Sequence, residues 1–161
     1  MGLKERSVGL MVWIVICFSV SAIGAAASLQ AKSFYASLAQ PVWAPPGWVF
    51  GPVWSVLFLM MSFSAWLIWV EKYRIEIRQP LIVFLVQLAL NALWSWMFFA
   101  WHSGAGAFVV IVLLVVMILS CITLFWRISK FASGLLIPYV VWVVFAAVLN
   151  YSLWQLNPNV I

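Results

Sequence analysis

Charge is what this sequence has least of. Eight Lys and Arg and three Asp and Glu make up 7% of 161 residues, against about 25% in a typical soluble domain. Water is therefore not the solvent for most of the surface. A large soluble catalytic domain, a nucleotide-binding fold and a conventional nucleic-acid binder are excluded, despite a pI near 9.6. Histidine is almost absent too. His102 is the single one, it is expected in a short loop, and no carboxylate or nucleophile is spaced to work with it. A haem-ligating or catalytic His102 is the alternative to a plain loop residue. The two cysteines, Cys17 and Cys121, fall within apolar runs, where a free thiol behaves as a small hydrophobe. Neither a disulfide nor a metal site is expected.

What fills the chain is apolar: 68% of residues and a mean hydropathy of +1.18. The fixed charges leave four charge-free runs, residues 7–31, 33–70, 79–126 and 131–161. A helix needs about 20 apolar residues to cross the hydrocarbon, so these runs hold one, one, two and one spans. The expected fold is an all-α integral membrane bundle of five helices in one domain over 1–161, at about 7–28, 46–70, 80–101, 104–126 and 134–156. Seven of the eight cations (Lys4, Arg6, Lys72, Arg74, Arg78, Arg127, Lys130) then share one side and only Lys32 lies on the other. Positive residues flank spans on the cytoplasmic side, which places the N-terminus in the cytoplasm and the C-terminus opposite. The start imitates a signal peptide, with Ala25-Ala26-Ala27 as a cleavage-like site, but the apolar run 8–27 is longer than a signal core and reads as a retained helix. Its small residues Ser21, Ala22, Gly24, Ala25 and Ser28 suit helix packing.

Residues 28 to about 46 form the longest connection. Pro45 and Pro46 suit an extended segment leading into the second span, and Pro52 is expected to kink that span's start or leave a carbonyl unpaired. The loop 71–79 carries five of the charges and reads as a headgroup anchor. It also fits the loose cholesterol pattern through Val70, Tyr73 and Arg78. No charged side chain falls within a span, which argues against ion-coupled transport.

Tryptophan is in excess, 12 residues. Trp13, Trp66, Trp69, Trp101, Trp126 and Trp154 lie near span ends, as interfacial belts require. Trp43, Trp48 and Trp54 instead cluster around the proline-rich entry to the second span. On the third span Gln87, Asn91, Trp94 and Phe98 share a face, as do Tyr139, Trp142, Ala146, Asn150 and Leu153 on the fifth. An unbonded amide in hydrocarbon is costly, so both faces should turn inward, either to join helices or to line a cavity. Such a cavity would suit a large, flat, apolar ligand with polar edges, such as a porphyrin, a sterol or a polycyclic drug.

Four segments carry a specific likeness: Gln40-Pro41-Val42-Trp43-Ala44-Pro45-Pro46-Gly47-Trp48-Val49-Phe50-Gly51-Pro52-Val53-Trp54; Gln87-Leu88-Ala89-Leu90-Asn91 with Phe98-Phe99; Leu135-Leu136-Ile137-Pro138-Tyr139-Val140-Val141-Trp142; and Phe145-Ala146-Ala147-Val148-Leu149-Asn150-Tyr151-Ser152-Leu153-Trp154. In order and spacing the chain resembles the tryptophan-rich sensory protein and translocator protein family, which includes the peripheral benzodiazepine receptor. The resemblance implies a five-helix bundle, usually a homodimer. It also implies protoporphyrin, haem-related tetrapyrroles and isoquinoline or benzodiazepine ligands, bound under the long first loop. No cofactor is required; the porphyrin is a ligand. Family pocket positions fall on Trp43, Trp48, Phe50, Trp54, Asn91, Trp94, Tyr139, Trp142, Ala146 and Leu149. In some bacterial relatives the tryptophans matching Trp54 and Trp142 are linked to light- and oxygen-dependent porphyrin breakdown. This sequence departs from the mammalian pattern twice. No basic residue follows Tyr151, where the sterol motif has one, and Phe108-Val109-Val110-Ile111 lacks an acidic residue.

Three functions follow: a membrane sensor, receptor or carrier of tetrapyrroles; a light-dependent porphyrin-degrading enzyme using Trp54 and Trp142; and a lipid- or sterol-binding scaffold. The short polar tails suit a bacterial inner membrane, with the mitochondrial outer membrane as the eukaryotic equivalent. Membrane lipid and a porphyrin-like molecule are the expected partners, and nucleic acid is not.

Overall fold

The computed structural model describes residues 2–28 and 31–161, excepting the side chain of Lys32. Lys32, the lone cation expected on the far side, thus has its side chain outside the described residues, as do residues 29 and 30 of the first connection. Among the described residues five helices are long and apolar enough to span a bilayer. α1 runs Leu3–Ala27, α2 Ala31–Ser37, α3 Phe50–Val70, α4 Arg78–Ser95, α5 Gly104–Trp126, α6 Lys130–Gly134 and α7 Ile137–Leu156. The spans are built on α1, α3, α4, α5 and α7.

Differences from the expected boundaries have local causes. α1 begins at Leu3 rather than near residue 7, because Lys4, Glu5 and Arg6 sit in a first turn that projects past the apolar run. The second span opens with a 3-10 turn, Gly47–Val49, after an extended Pro46. Pro52 consequently stands in the first turn of α3, where a backbone N–H has no intrahelical partner to lose. The connection before it is not simply extended, since it contains α2. The third span ends in a π-helical turn, Trp96–Ala100, closed by Trp101 N–H donating to the Trp96 carbonyl at 2.9 Å. The fifth is preceded by α6, whose N-cap Ser129 accepts from Ala132 N–H at 3.2 Å, so α7 starts at Ile137 with Pro138 in its first turn.

In space α1 packs between α3 and α4, α4 packs on α5 and α5 on α7, while α3 and α7 meet over a shorter stretch. All the described charged residues except those with backbone alone lie at one end of this ring, called here the charged end. The other, the lid end, carries α2, the 3-10 turn, the π turn and the end of α7. Lipid tails are as apolar as Leu, so spans associate through close packing and hydrogen bonds rather than through hydrophobic exclusion. The charged end follows that rule. Trp69 lies so close against Gly9 that a Cβ there would collide with its ring. Trp13, expected in a belt, is buried edge-on against Phe84 with centroids 5.8 Å apart, and Phe84 stacks on Phe125 at 6.0 Å. Ser64 on α3 donates to the Ala132 carbonyl at 2.7 Å, and Ser133 donates to the Ile122 carbonyl at 2.8 Å. The loop after α3 is more than an anchor. Lys72 pairs with Glu5 at 2.9 Å and sits 3.8 Å above the Trp69 ring, while Tyr73 donates to Glu5 at 2.8 Å.

Candidate functional site

Between the helices at the lid end is a cavity of about 500 Å³, within the range of small-ligand pockets, roughly 300–1,000 Å³. Among the described residues no charged side chain lines it. Its two walls differ. One is aromatic: Trp54 and Phe58 on α3, and Trp94, Phe98 and Phe99 on α4 and its π turn. Trp54 and Trp94 lie 6.4 Å apart at 35°, and Trp94 stacks on Phe98 at 6.0 Å and 20°. The other wall is α1, which offers only Ser21, Gly24, Ala25 and Ser28. These small residues seat a neighbouring helix as expected, with Ser95 of α4 against Gly24, and they also leave room facing the rings.

The inward amides form two connected networks. Asn91 Nδ2 donates to the Tyr139 hydroxyl at 3.1 Å, and that hydroxyl donates to Gln87 Oε1 at 2.7 Å. Trp94 Nε1 donates to Asn150 Oδ1 at 3.0 Å, whose own amide donates to the Gly104 carbonyl at 3.1 Å. Gln87, Asn91, Tyr139 and Asn150 are all at most 4% exposed, so each bond replaces one that water cannot supply. The amides therefore do join helices. They also set the chemistry of the cavity: one Asn91 amide hydrogen is held by Tyr139 and the Trp94 N–H by Asn150, so these donors are engaged within the protein.

Of the ten positions singled out from the sequence, Trp48, Phe50, Trp54, Asn91, Trp94, Ala146 and Leu149 line the cavity. Three stand elsewhere. Tyr139 lies behind Asn91 and Trp54, with its ring 6.2 Å from Trp54. Trp142 packs behind Phe50 at 5.9 Å and beside Phe145 at 5.3 Å, and its Nε1 has no hydrogen-bond partner. Trp43 packs edge-on against Phe145 at 5.9 Å. Sequence reasoning missed the α1 wall and Tyr35, which also lines the cavity. A same-face run of small residues was the available signal for α1; Tyr35 had none, because α2 was not foreseen.

The roof is the segment 31–49. Ala31, Tyr35, Gly47 and Trp48 line the cavity from above. Tyr35 donates to the Pro45 carbonyl at 3.0 Å and packs on Phe50 at 5.5 Å; burial pushes its phenol above the ordinary value of 10. Phe34 rests on Phe98 and on His102 at 4.2 Å. His102 is exposed in the loop before α5, with a φ of 49°. Among the described residues no three His, Cys, Asp or Glu side chains converge on a possible metal position.

Five spanning helices around an aromatic-walled cavity define a helical membrane protein with an intrabundle pocket. A family model described as TspO/MBR matches residues 12–155, and the chain belongs to that family. Protein CrtK of Rhodobacter capsulatus is 38% identical over 149 residues, 92% of each chain. Tryptophan-rich protein TspO of Chlorobaculum tepidum is 37% identical over 97% of this chain and 100% of its own. Translocator protein of Ovis aries is 39% identical over 77% of this chain and 75% of its own. The spanning helices and the near-complete match to bacterial relatives make this an integral protein of a bacterial membrane.

Proposed function

We propose that the cavity binds a flat, largely apolar macrocycle with polar edges, protoporphyrin or a related tetrapyrrole, and that the protein senses or carries it in the membrane. The observation that carries this reading is the pairing of the Trp54–Trp94 wall with the small-residue wall of α1. A planar ring can lie against indole faces only where the opposite wall has no bulk, and aromatic stacking supplies about 0.5–1.5 kcal/mol per ring pair beyond burial. Isoquinoline and benzodiazepine compounds share that shape and would compete for the same wall. The charged end faces the cytoplasm in this reading, so the lid meets the opposite side.

The test is a protoporphyrin titration of purified protein in detergent, in the dark, following tryptophan fluorescence. Saturable quenching is expected for the wild type. Ala146→Phe, which puts a ring into the cavity, should weaken binding at least tenfold, while Trp126→Phe at the charged end should not. Linear quenching that Ala146→Phe leaves unaltered would sink the proposal and favour a lipid scaffold.

A second reading, light- and oxygen-dependent breakdown of the bound porphyrin, draws support from the oxidisable rings in contact at Trp54, Trp94 and Tyr139. Trp54 lines the cavity and Trp142 does not. New absorption bands formed only under light, lost in Trp54→Phe and reduced less in Trp142→Phe, would support it; identical dark and light spectra would remove it.

A further inference from the structure

The segment 31–49 roofs the cavity but is joined to the bundle largely by ring contacts, which tolerate sliding. A directional fastening stands at its middle. Ala39 N–H donates to Asn157 Oδ1 at 2.8 Å, and Asn157 Nδ2 donates back to the Ala39 carbonyl at 2.9 Å. The side-chain amide thus closes a two-bond ring with one lid residue, as two strands would. Asn157 directly follows α7 and is only 8% exposed, and its Nδ2 also donates to the Leu153 carbonyl at 2.8 Å. The C-terminal turn holds it in place: Val160 and Ile161 N–H groups donate to the Asn157 carbonyl at 3.0 and 3.1 Å. Leu153 and Leu149, one and two turns back along α7, line the cavity. The fastening and the ligand wall therefore share one helix.

We propose that Asn157 is the latch of the lid, and that the Ala39–Asn157 amide pair sets the rate at which the cavity opens for ligand exchange. The exchange part of this rests on the ligand reading above; the latch itself does not. Both bonds need an amide, a donor and an acceptor on one planar group, so Asp, the same size, fails at the Ala39 carbonyl.

Lid opening is read without ligand by placing a cysteine at Leu38, a lid residue next to Ala39 that is only 5% exposed, and timing its reaction with a water-soluble maleimide. Cys17 and Cys121 are fully buried and should add little background. In the Leu38→Cys protein, Asn157→Ala, which loses both lid bonds, should speed labelling at least tenfold, and Asn157→Asp, which loses the bond to the Ala39 carbonyl but keeps an acceptor for Ala39 N–H, about fivefold, as expected for hydrogen bonds of ordinary net strength. Asn157→Gln should recover part of the protection, and Asn159→Ala, exposed two residues on, should match the parent. Ala39→Pro removes the donor from the lid side without touching α7. It should speed labelling similarly, and adding Asn157→Asp to it should give less than the product of the two effects. Thermal unfolding of each variant shows whether the bundle remains folded.

Protoporphyrin association and dissociation should both quicken in Asn157→Asp with little change in Kd, because a gate alters rates and not end states. Wild-type labelling in Asn157→Asp would overturn the latch, since a residue that merely fills space is replaced well by its isostere. Saturable wild-type binding with unaltered exchange rates would overturn its control of exchange. Faster labelling with no wild-type binding would keep the latch and remove the ligand reading.

Discussion

The two ends of the bundle use the same device to opposite effect. At the charged end a small residue of α1 meets a large ring of α3, and the ring fills the space: Gly9 lies under Trp69 with no room for a methyl group. At the lid end the small residues of α1 face Trp54 and Phe58 of the same helix α3 across a cavity. Two contacts of α1 with the third span, one with its π turn and one with α4, accompany the gap. Trp96 Nε1 donates to the Ile23 carbonyl at 3.2 Å, and a Cβ on Gly24 would come within 3.2 Å of Ser95 Oγ. A row of small residues facing aromatics therefore does not by itself decide between contact and cavity. What decides is whether the neighbouring helices allow the gap to close, and here the π turn and the lid occupy the end where it does not.

The comparison breaks hardest at its glycines. Gly9→Leu forces Trp69, held between α1 and Lys72, out of its seat, and overpacking of this kind costs about 3 kcal/mol. Gly51 is the control on the other side, since no heavy atom lies within 4 Å of a Cβ placed there. Gly51→Leu should alter stability by less than about 0.5 kcal/mol. Thermal unfolding in one detergent measures both, and equal losses would mean that the two ends are packed alike.

The buried networks come next. Tyr139→Phe keeps the ring against Trp54 but strands Asn91 Nδ2 and Gln87 Oε1, which should cost about 1–3 kcal/mol because neither group can reach water. It should also loosen Asn91 toward the cavity, so porphyrin affinity falls although Tyr139 does not line the wall. Unchanged affinity with lowered stability would confine Tyr139 to a structural part. Smaller again is the contrast between two serines of α3. Ser64 bridges to α6, and Ser64→Ala should cost about 1 kcal/mol. Ser55 bonds only its own helix, at the Gly51 carbonyl, and Ser55→Ala should be neutral.

How much of this the sequence made legible follows from what sets each feature. Bilayer thickness fixes span length, so charge-free runs located five helices, and the 104–126 expectation coincides with α5. Helical periodicity placed Gln87, Asn91, Trp94 and Asn150 inward, and they are buried. Short elements escape such reasoning. α2 and α6 have seven and five residues, too few for a period to show, and the π turn differs from the α-helix around it by one hydrogen-bond register. Trp13 and Trp142 show the other limit. Nothing in an indole's position along a span tells a belt from a core, or a cavity wall from the layer behind it.

The smallest predicted effect lies within the lid. Burial raises the Tyr35 phenol above the ordinary value of 10. In the closed lid it keeps its proton at a pH where an opened lid, with Tyr35 in water, releases it. Between the ordinary and the raised value the open form thus binds fewer protons than the closed one, so closure weakens as pH rises through that window and is unaffected below it. Maleimide attack on Leu38→Cys, corrected for the reagent's own pH dependence with a free thiol, should show added opening only above about pH 10. Tyr35→Phe should remove that rise, while itself opening the lid a few-fold at every pH through loss of the bond to Pro45. The charged end contains no such group beneath a lid, so a pH rise that opened both ends together would reflect general unfolding rather than Tyr35.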